Sequence, residues 1–217
     1  MKENKGYLVT HIGSTWYWYL LASVLVVVFW SFVFGLLDRI PYHEQINMFV
    51  AGYEIQKEQM EEQISEILKG SSIRQVTVDA CTPGREEAFH MVLATRGTVN
   101  TDILILPEGT WPEEMLQGKV LGFTEQELAS YLPEGEYQYI ERESIRYGIC
   151  VYDADKGKSL LPKGWIAFEA DVEQRDYYLF FSIEADNVGR LGMDYKNKDD
   201  QALKLIGTLI RKAEELQ

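Results

Sequence analysis

The chain divides by hydropathy into one long uncharged segment near its start and a longer remainder in which apolar and polar positions alternate. The segment Thr15–Leu37 holds 23 residues without a charge, and its apolar side chains lie on every face of a helix. At about 1.5 Å of rise per residue, a helix of this length crosses the roughly 30 Å hydrocarbon core of a bilayer. The aromatic run Trp16–Tyr19 suits the headgroup layer at one interface. The pattern therefore predicts one transmembrane helix.

Basic residues on either side of this segment indicate its orientation. Lys2 and Lys5 precede it, whereas only Arg39 follows closely, beside Asp38. The positive-inside rule then favours a cytoplasmic N-terminus. A cleaved signal peptide is the alternative, but the apolar run is longer than a typical h-region and no small-x-small cleavage site follows it. We predict a cytoplasmic tail, an uncleaved signal anchor and an extracytoplasmic domain over residues 1–14, 15–37 and 38–217.

The first half of the domain alternates between strand-like and helix-like hydrophobic periods. Runs of β-branched and apolar residues predict strands, and apolar residues spaced by three and four predict helices. In chain order the predicted elements are strand Glu44–Gly52, helix Glu54–Lys69, strand Ile73–Asp79, helix Glu86–Arg96 and strand Thr101–Pro107. A β-α-β-α-β order with short links predicts a parallel sheet with right-handed crossovers.

The second half is richer in strands and ends in an amphipathic helix. The sequence Thr124–Glu127 has the pattern of a capping box, which predicts that a helix begins there. The predicted elements are helices Pro112–Gln117 and Glu125–Leu132, strands Tyr137–Glu143, Tyr147–Asp153, Trp165–Glu169 and Tyr177–Ile183, and helix Asp199–Leu216. The predicted fold class is α/β, with a mixed, partly parallel sheet flanked by helices and preceded by one transmembrane helix.

Charge narrows the classes of partner that the domain can bind. The whole chain has a formal net charge of −13, and residues 38–217 hold 19 basic against 33 acidic residues, a net of −14. An acidic domain repels phosphate backbones, so we expect no nucleic-acid partner. The same charge opposes a domain that lies flat on anionic lipid.

Cysteine and histidine are too sparse for a metal centre. The chain has two cysteines, Cys81 and Cys150, three scattered histidines and no C-x-x-C motif. We therefore expect no metal and no cofactor. A disulfide is compatible with an extracytoplasmic domain, but Cys150 also fits as a small buried residue within a strand. No Ser-His-Asp or Cys-His arrangement is present, so we expect a protein that is not an enzyme.

Candidate ligand residues follow the predicted parallel strands, because open α/β sheets bind ligands at the carboxyl ends of their strands. Thr82 is a candidate helix cap that, with Arg85, would hold an anion. Aromatic residues there would stack on a sugar or a peptide. The alternative is that these residues serve ordinary turns, caps and half-buried rims. The candidate ligand residues are Tyr53, Thr82, Arg85, Glu108 and Trp111.

Several strand patterns resemble those of a known family. Ile46–Val50, Val76–Val78 and Asp102–Leu106 occur in the order of the first lobe of type II solute-binding proteins, the receptors of bacterial ABC importers. Arg146–Tyr152 resembles the strand that returns to this lobe, and Tyr177–Ile183 resembles its closing strand. The resemblance covers most of residues 44–217 and implies one lobe of such a receptor, not a hinged pair.

The resemblance implies a membrane-anchored extracytoplasmic binding or accessory module at a bacterial cell surface. Its expected partner is a small solute, such as a sugar or a peptide, or a membrane transporter. The alternative is a structural or interaction protein that docks a membrane or cell-surface partner and has no small-molecule ligand. A concave pocket at the strand ends would favour a solute, and a flat apolar surface there would favour a protein partner.

Overall fold

The computed structural model describes residues 3–37, 39–84, 86–166, 175–185, 187–188 and 200–215. The chain forms two compact units, Met1–Ile40 and Pro41–Gln217. In the first unit, helix α1 (Glu3–Leu37) begins well before the predicted span. Its stretch Trp16–Leu36, with a mean hydropathy of 2.3, is long and apolar enough to cross a membrane. A single N-terminal helix can therefore serve as a membrane anchor.

The second unit alternates helices and strands in the order that the hydrophobic periods predict. Its strands are β1 (Gln45–Ala51), β2 (Gln75–Cys81), β3 (Ile103–Pro107), β4 (Tyr139–Arg142), β5 (Ile145–Asp153), β6 (Lys158–Ser159) and β7 (Tyr177–Phe181). Its helices are α2 (Lys57–Ile67), α3 (Glu86–Val92), α4 (Glu113–Gly118), α5 (Glu125–Ala129) and α6 (Gln201–Glu215). A 3-10 turn, Tyr42–Glu44, precedes β1, and a π-helical turn, Leu93–Gly97, extends α3.

The strands form one mixed sheet in the order β2-β1-β3-β7-β5-β4, and β6 pairs with β5. Strand β1 is parallel to both β2 and β3. Strand β7 is antiparallel to β3 and to β5, and β4 and β6 are antiparallel to β5. The predicted fold class, a mixed and partly parallel sheet flanked by helices, is confirmed.

Helices cover both faces of the sheet, which explains the continuous apolar runs in its central strands. On one face, the strands pack against side chains of α2 and α6. On the other face, they pack against α3, its π-helical turn and α4. Every residue of β3 and of β7 is buried. Alternate residues of β1 divide between the two faces, with Met48 and Val50 on the first and Phe49 and Ala51 on the second.

The predicted capping box is present at the start of α5. The hydroxyl oxygen of Thr124 accepts a hydrogen bond from the backbone N–H of Glu127, and a carboxylate oxygen of Glu127 accepts one from the N–H of Thr124. These bonds satisfy two donors that a helix start leaves without a partner. The helix ends at Ala129, before the predicted end at Leu132.

The predicted strand at Trp165–Glu169 is wrong in its described part. Trp165 and Ile166 form a bend, and residues 167–169 lie outside the described residues. The fully buried Trp165 donates its indole N–H to a side-chain oxygen of Gln63 at 2.7 Å. Its carbonyl accepts the N–H of Gln56, which caps α2, at 2.9 Å. Contacts with the first turns of α2 therefore replace the pairing that a strand would make.

Strand β2 lies at one edge of the sheet, and a side chain covers part of its free edge. A carboxylate oxygen of Glu61, in α2, accepts the backbone N–H of Val78 at 2.8 Å. Lys57 stands 3.7 Å from the same oxygen. An edge strand with free N–H groups would pair with other chains, and a charged side chain on the edge opposes such pairing.

The carboxylate of Asp102, which is 3% exposed, joins the start of β3 to β1 and to the segment that follows β7. Its Oδ2 accepts the backbone N–H of Asn47, in β1, at 2.9 Å. Its Oδ1 accepts both the backbone N–H and the side-chain amide of the fully buried Asn187, each at 3.2 Å. The Asn187 amide also donates to the carbonyl of Gln45. We call these residues the Asp102 clamp.

We expect Asp102→Asn to destabilise the domain by about 2–3 kcal/mol. The amide nitrogen of asparagine would replace one acceptor oxygen, so that two N–H donors would face each other in a buried place. Urea denaturation of the fragment 41–217, followed by circular dichroism, measures this loss. The matched control is Asp155→Asn, which changes an exposed turn residue. Equal midpoints for the two variants would contradict a role for the clamp in stability.

Helix α6 crosses the end of α5 so closely that one position has no room for a side chain. A Cβ atom on Gly207 would lie 2.0 Å from the carbonyl oxygen of Tyr131. The backbones themselves are therefore in contact. The Tyr131 hydroxyl also donates to the carboxylate of Asp200, just before α6, so the two segments are joined at a second point.

We expect Gly207→Ala to destabilise the domain by about 1–3 kcal/mol, because the helix must move away from Tyr131. Alanine favours a helix by about 1 kcal/mol over glycine, so a loss of stability isolates the steric effect. The control is Gly118→Ala at the end of α4, where a Cβ would meet nothing within 4 Å. Thermal unfolding of both variants measures the difference, and a stabilised Gly207→Ala would contradict this packing.

Candidate functional site

The carboxyl ends of β1, β2 and β3 lie at the same end of the sheet, because the three strands are parallel. We call this end the strand-end edge of the sheet. Chain connections leave β1 and β3 towards opposite sides in the order β2-β1-β3, which makes the gap between β1 and β3 a topological switch point. Tyr53, Thr82 and Glu108 each follow one of these strands. The structure thus brings three of the predicted ligand residues to the same edge.

Tyr53 bridges the loops that follow β1 and β2. Its hydroxyl donates to the carbonyl of Pro83 at 3.1 Å. The N–H of Gly52 donates to the carbonyl of Cys81 at 3.0 Å. The half-buried Tyr53 ring is therefore held by the fold, which favours the alternative of turn chemistry for this residue.

Thr82 and Arg85 are the residues predicted to cap α3 and to hold an anion there. Thr82 is exposed and precedes Glu86, the first residue of α3, by four positions. Thr82 is thus not at the cap position, which directly precedes the first helical residue. Arg85 lies outside the described residues, so its role in holding an anion stays a prediction.

Glu108 and Trp111 follow β3 but take different environments. Glu108 is exposed, and its N–H donates to the carbonyl of Asp176 at 2.8 Å. The half-buried Trp111 packs edge-on against Tyr178 and Phe180, with ring centroids 5.7 and 5.0 Å apart. Trp111 is therefore part of the packing on the second face of the sheet.

Apolar side chains cover the carboxyl end of β1 at the switch point. A Cβ atom on Gly52 would lie 3.0 Å from Cγ2 of Ile166 and 3.6 Å from Cγ1 of Ile55. The bend that contains Trp165 thus lies over the end of β1. Little space is left for a solute against this strand end.

A cleft of about 540 Å³ lies farther along the same edge, beside the carboxyl end of β5. The N-terminal end of β7 and the carboxyl end of β5 meet this edge, because Tyr177 pairs with Pro107 on one side and with Tyr152 on the other. The side chains that line the cleft are mostly polar or charged: Glu136, Tyr137, Gln138, Cys150, Asp153, Lys156, Lys158 and Leu160. None of these residues is among the predicted ligand residues.

The turn between β5 and β6 is held by charge-assisted hydrogen bonds. The ammonium group of Lys156 donates to Asp153 at 2.6 Å, and the Lys156 N–H donates to the same carboxylate at 3.0 Å. The hydrogen bonds from Lys156 lower the pKa of Asp153. The Asp153 side chain in turn raises the pKa of Lys156. The N–H of Ala154 donates to the carboxylate of Asp176 at 2.8 Å, so the turn is also joined to the start of β7.

Both cysteines are described, and both are free thiols. Burial, helped by the negative charges of Asp176 and Asp153, raises the pKa of Cys150 to about 12. Burial also raises the pKa of Cys81, while the charge of Arg96 opposes the shift. Neither thiol is activated as a nucleophile, since a nucleophilic cysteine requires a lowered pKa.

A second cavity of about 470 Å³ lies between α2 and α6. Ile67 and Leu209 line it from the two helices, together with the loop around Pro162. Within the part of the chain that the structure describes, no group of three or more His, Cys, Asp or Glu side chains is placed to hold a metal ion.

Comparisons with protein-family models, with curated proteins and with solved structures gave no match to this chain.

We expect Cys81 to be alkylated well before Cys150 at pH 8, because Cys150 is buried and a thiol of pKa about 12 has on the order of one molecule in ten thousand ionised at that pH. Mass spectrometry of peptides after timed treatment with N-ethylmaleimide measures both rates. The variant Cys81→Ala serves as the control, since only Cys150 can then react. Equal rates for the two native thiols would contradict the buried environment of Cys150.

Proposed function

We propose that the chain is a single-pass membrane protein that presents an extracytoplasmic binding or accessory module at a bacterial cell surface, comparable with one lobe of an ABC-importer solute-binding protein. The observation that carries this proposal is a cleft with charged side chains in its lining. It lies at the end of the sheet where the parallel strands of the order β2-β1-β3 have their carboxyl ends. Open α/β sheets bind ligands at that edge.

The anchor supports placing this domain at a membrane. Helix α1 contains a stretch, Trp16–Leu36, that is long and apolar enough for one crossing. Seven residues separate the end of α1 from the start of β1, so the connection along the chain is short. Lys2 and Lys5 before the span favour a cytoplasmic N-terminus, which would leave the domain outside.

A single lobe binds in a different way from a hinged pair. Two lobes close around a solute and bury most of its surface, whereas one lobe leaves one side of the solute exposed to water. We therefore propose modest affinity for a small solute, and an accessory role beside a transporter. No step of catalysis is part of this proposal.

The geometry of the switch point supports the alternative function, which is docking of a membrane or cell-surface protein. Ile166 covers the end of β1, and Trp111 is packed into the second face, so neither offers an open pocket there. A covered strand end can still contact a protein surface, since such contacts need no cavity. Binding of a purified solute by the isolated protein separates the two functions.

We expect proteinase K added to intact cells to remove the domain and leave a short membrane-bound fragment. Tags at the two ends of the full chain, followed by immunoblotting, measure this: the C-terminal tag is lost and the N-terminal tag is protected. A cytoplasmic protein of the same cells, which must stay intact, is the control. A protected C-terminal tag would overturn the extracytoplasmic placement.

The variant Lys2→Gln/Lys5→Gln provides a matched test of orientation. Without these two positive charges, the bias that keeps the N-terminus inside is lost, and a fraction of the C-terminal tag becomes protected. Lys57→Gln/Lys69→Gln removes two charges far from the span and leaves the pattern unchanged.

A further inference from the structure

The cleft beside β5 lies at a break in the edge of the sheet. Tyr152 of β5 pairs with Tyr177 on one side and with Ser159 of β6 on the other, so β6 lies on the side of β5 away from β7. Strand β4 pairs with that same side of β5. Two short strands, β4 and β6, therefore occupy one edge position end to end.

The chain enters and leaves the sheet at this break. The N–H of Cys150 donates to the carbonyl of Gln138, just before β4, at 2.8 Å. The N–H of Leu160, just after β6, donates to the carbonyl of the next β5 residue, Val151, at 2.8 Å. Beside these bonds, the register of β5 against β7 shifts between Cys150 and Tyr152, in the manner of a β-bulge or a similar irregularity. Such bulges bend a strand and redirect its side chains.

Charges of both signs line the cleft, and two of them have no partner among the described residues. Asp153 and Lys156 pair with each other. Glu136, from the segment before β4, and Lys158, from β6, are exposed and form no ion pair or side-chain hydrogen bond within the described part of the chain. The break therefore offers one carboxylate and one ammonium group to a ligand.

We propose that this cleft binds a small zwitterionic solute, an amino acid or a short peptide, with its carboxylate at Lys158 and its ammonium group at Glu136. The proposal rests on the proposed function, because it names the class of solute that the binding module takes. The volume of about 540 Å³ lies within the range of small-molecule sites and accommodates a dipeptide or tripeptide.

The wall of the cleft distinguishes this ligand class from a neutral sugar. Tyr137 and Leu160 supply an aromatic ring and an apolar side chain, which suit the side chains of a peptide. A neutral sugar would leave the charges of Glu136 and Lys158 without a partner. An anion with no ammonium group would meet Lys158 but would be repelled by Glu136 and by the acidic domain as a whole.

The test uses the full chain in detergent micelles and dialanine as the probe, with titration calorimetry and thermal unfolding as measurements. Dialanine binds and raises the unfolding temperature. N-acetyl-dialanine, which lacks the ammonium group, and dialaninamide, which lacks the carboxylate, each bind at least about tenfold more weakly, as expected for loss of one charge-assisted hydrogen bond. Glucose gives no shift.

Variants of the cleft assign each end of the ligand. Lys158→Gln lowers the affinity for dialanine at least about tenfold and leaves the affinity for dialaninamide unchanged. Glu136→Gln lowers the affinity for dialanine and leaves the affinity for N-acetyl-dialanine unchanged. Lys69→Gln and Glu58→Gln, at exposed positions outside the lining of the cleft, are the matched controls and bind like the unaltered chain.

Two results overturn the proposal. If dialanine gives neither heat nor a thermal shift, the ligand class is wrong. If dialanine binds equally well to Lys158→Gln and Glu136→Gln, the cleft is not its site. Protease treatment of intact cells distinguishes failure of the ligand proposal from failure of the proposed function. It reports on which side of the membrane the domain lies, regardless of any ligand.

Discussion

A buried carboxylate at the start of β3 fixes how the central strands meet. The Asp102 clamp is far from water, so its acceptor oxygens need donors from the protein, and a donor that misses them stays unsatisfied. The donors come from β1 and from Asn187, which follows β7 by several residues. Hydrophobic contact alone tolerates sliding of one strand along another, whereas these directional bonds accept one register only. The parallel and antiparallel halves of the sheet are thus aligned by one side chain.

The alignment has a consequence at the opposite edge of the sheet. With β1, β3 and β7 in fixed register, the other ends of these strands place Gly52, Glu108 and Asp176 at the same end of the sheet. The Glu108–Asp176 backbone bond and the bond from Ala154 to the Asp176 carboxylate continue this connection to the end of β5. A hydrogen-bonded row of strand ends therefore supports the turn that leads into β6 and Lys158. If this lysine binds a ligand as proposed, its fixed backbone position reduces the conformational freedom that is lost on binding.

Local patterns in the sequence were sufficient for most of the fold and for part of the site. The β-α-β-α-β order and the capping box at Thr124 follow from spacing within single elements, which sequence reports directly. The bend at Trp165 has strand-like composition, but its bonds to α2 depend on residues about 100 positions earlier. The role of Tyr53 and Glu108 as ligand residues stays a prediction. Their shared position after the carboxyl ends of parallel strands was predicted from topology. The cleft was not, because it arises where β4 and the two-residue β6 share one side of β5, and no local period encodes such a meeting.

The contact of Glu61 with the free edge of β2 acquires importance if copies of the chain are confined to a membrane. Tethered molecules diffuse in two dimensions at high local concentration, and their domains meet repeatedly in similar orientations. An open edge strand would then promote edge-to-edge pairing, by which the sheet of one copy continues into the sheet of the next. The Glu61 carboxylate accepts the N–H of Val78 and so occupies a donor that such pairing requires. It also places a negative charge at this edge, which repels an equally acidic neighbouring copy. Crowding on a surface can thus rise without ordered polymers forming through this edge.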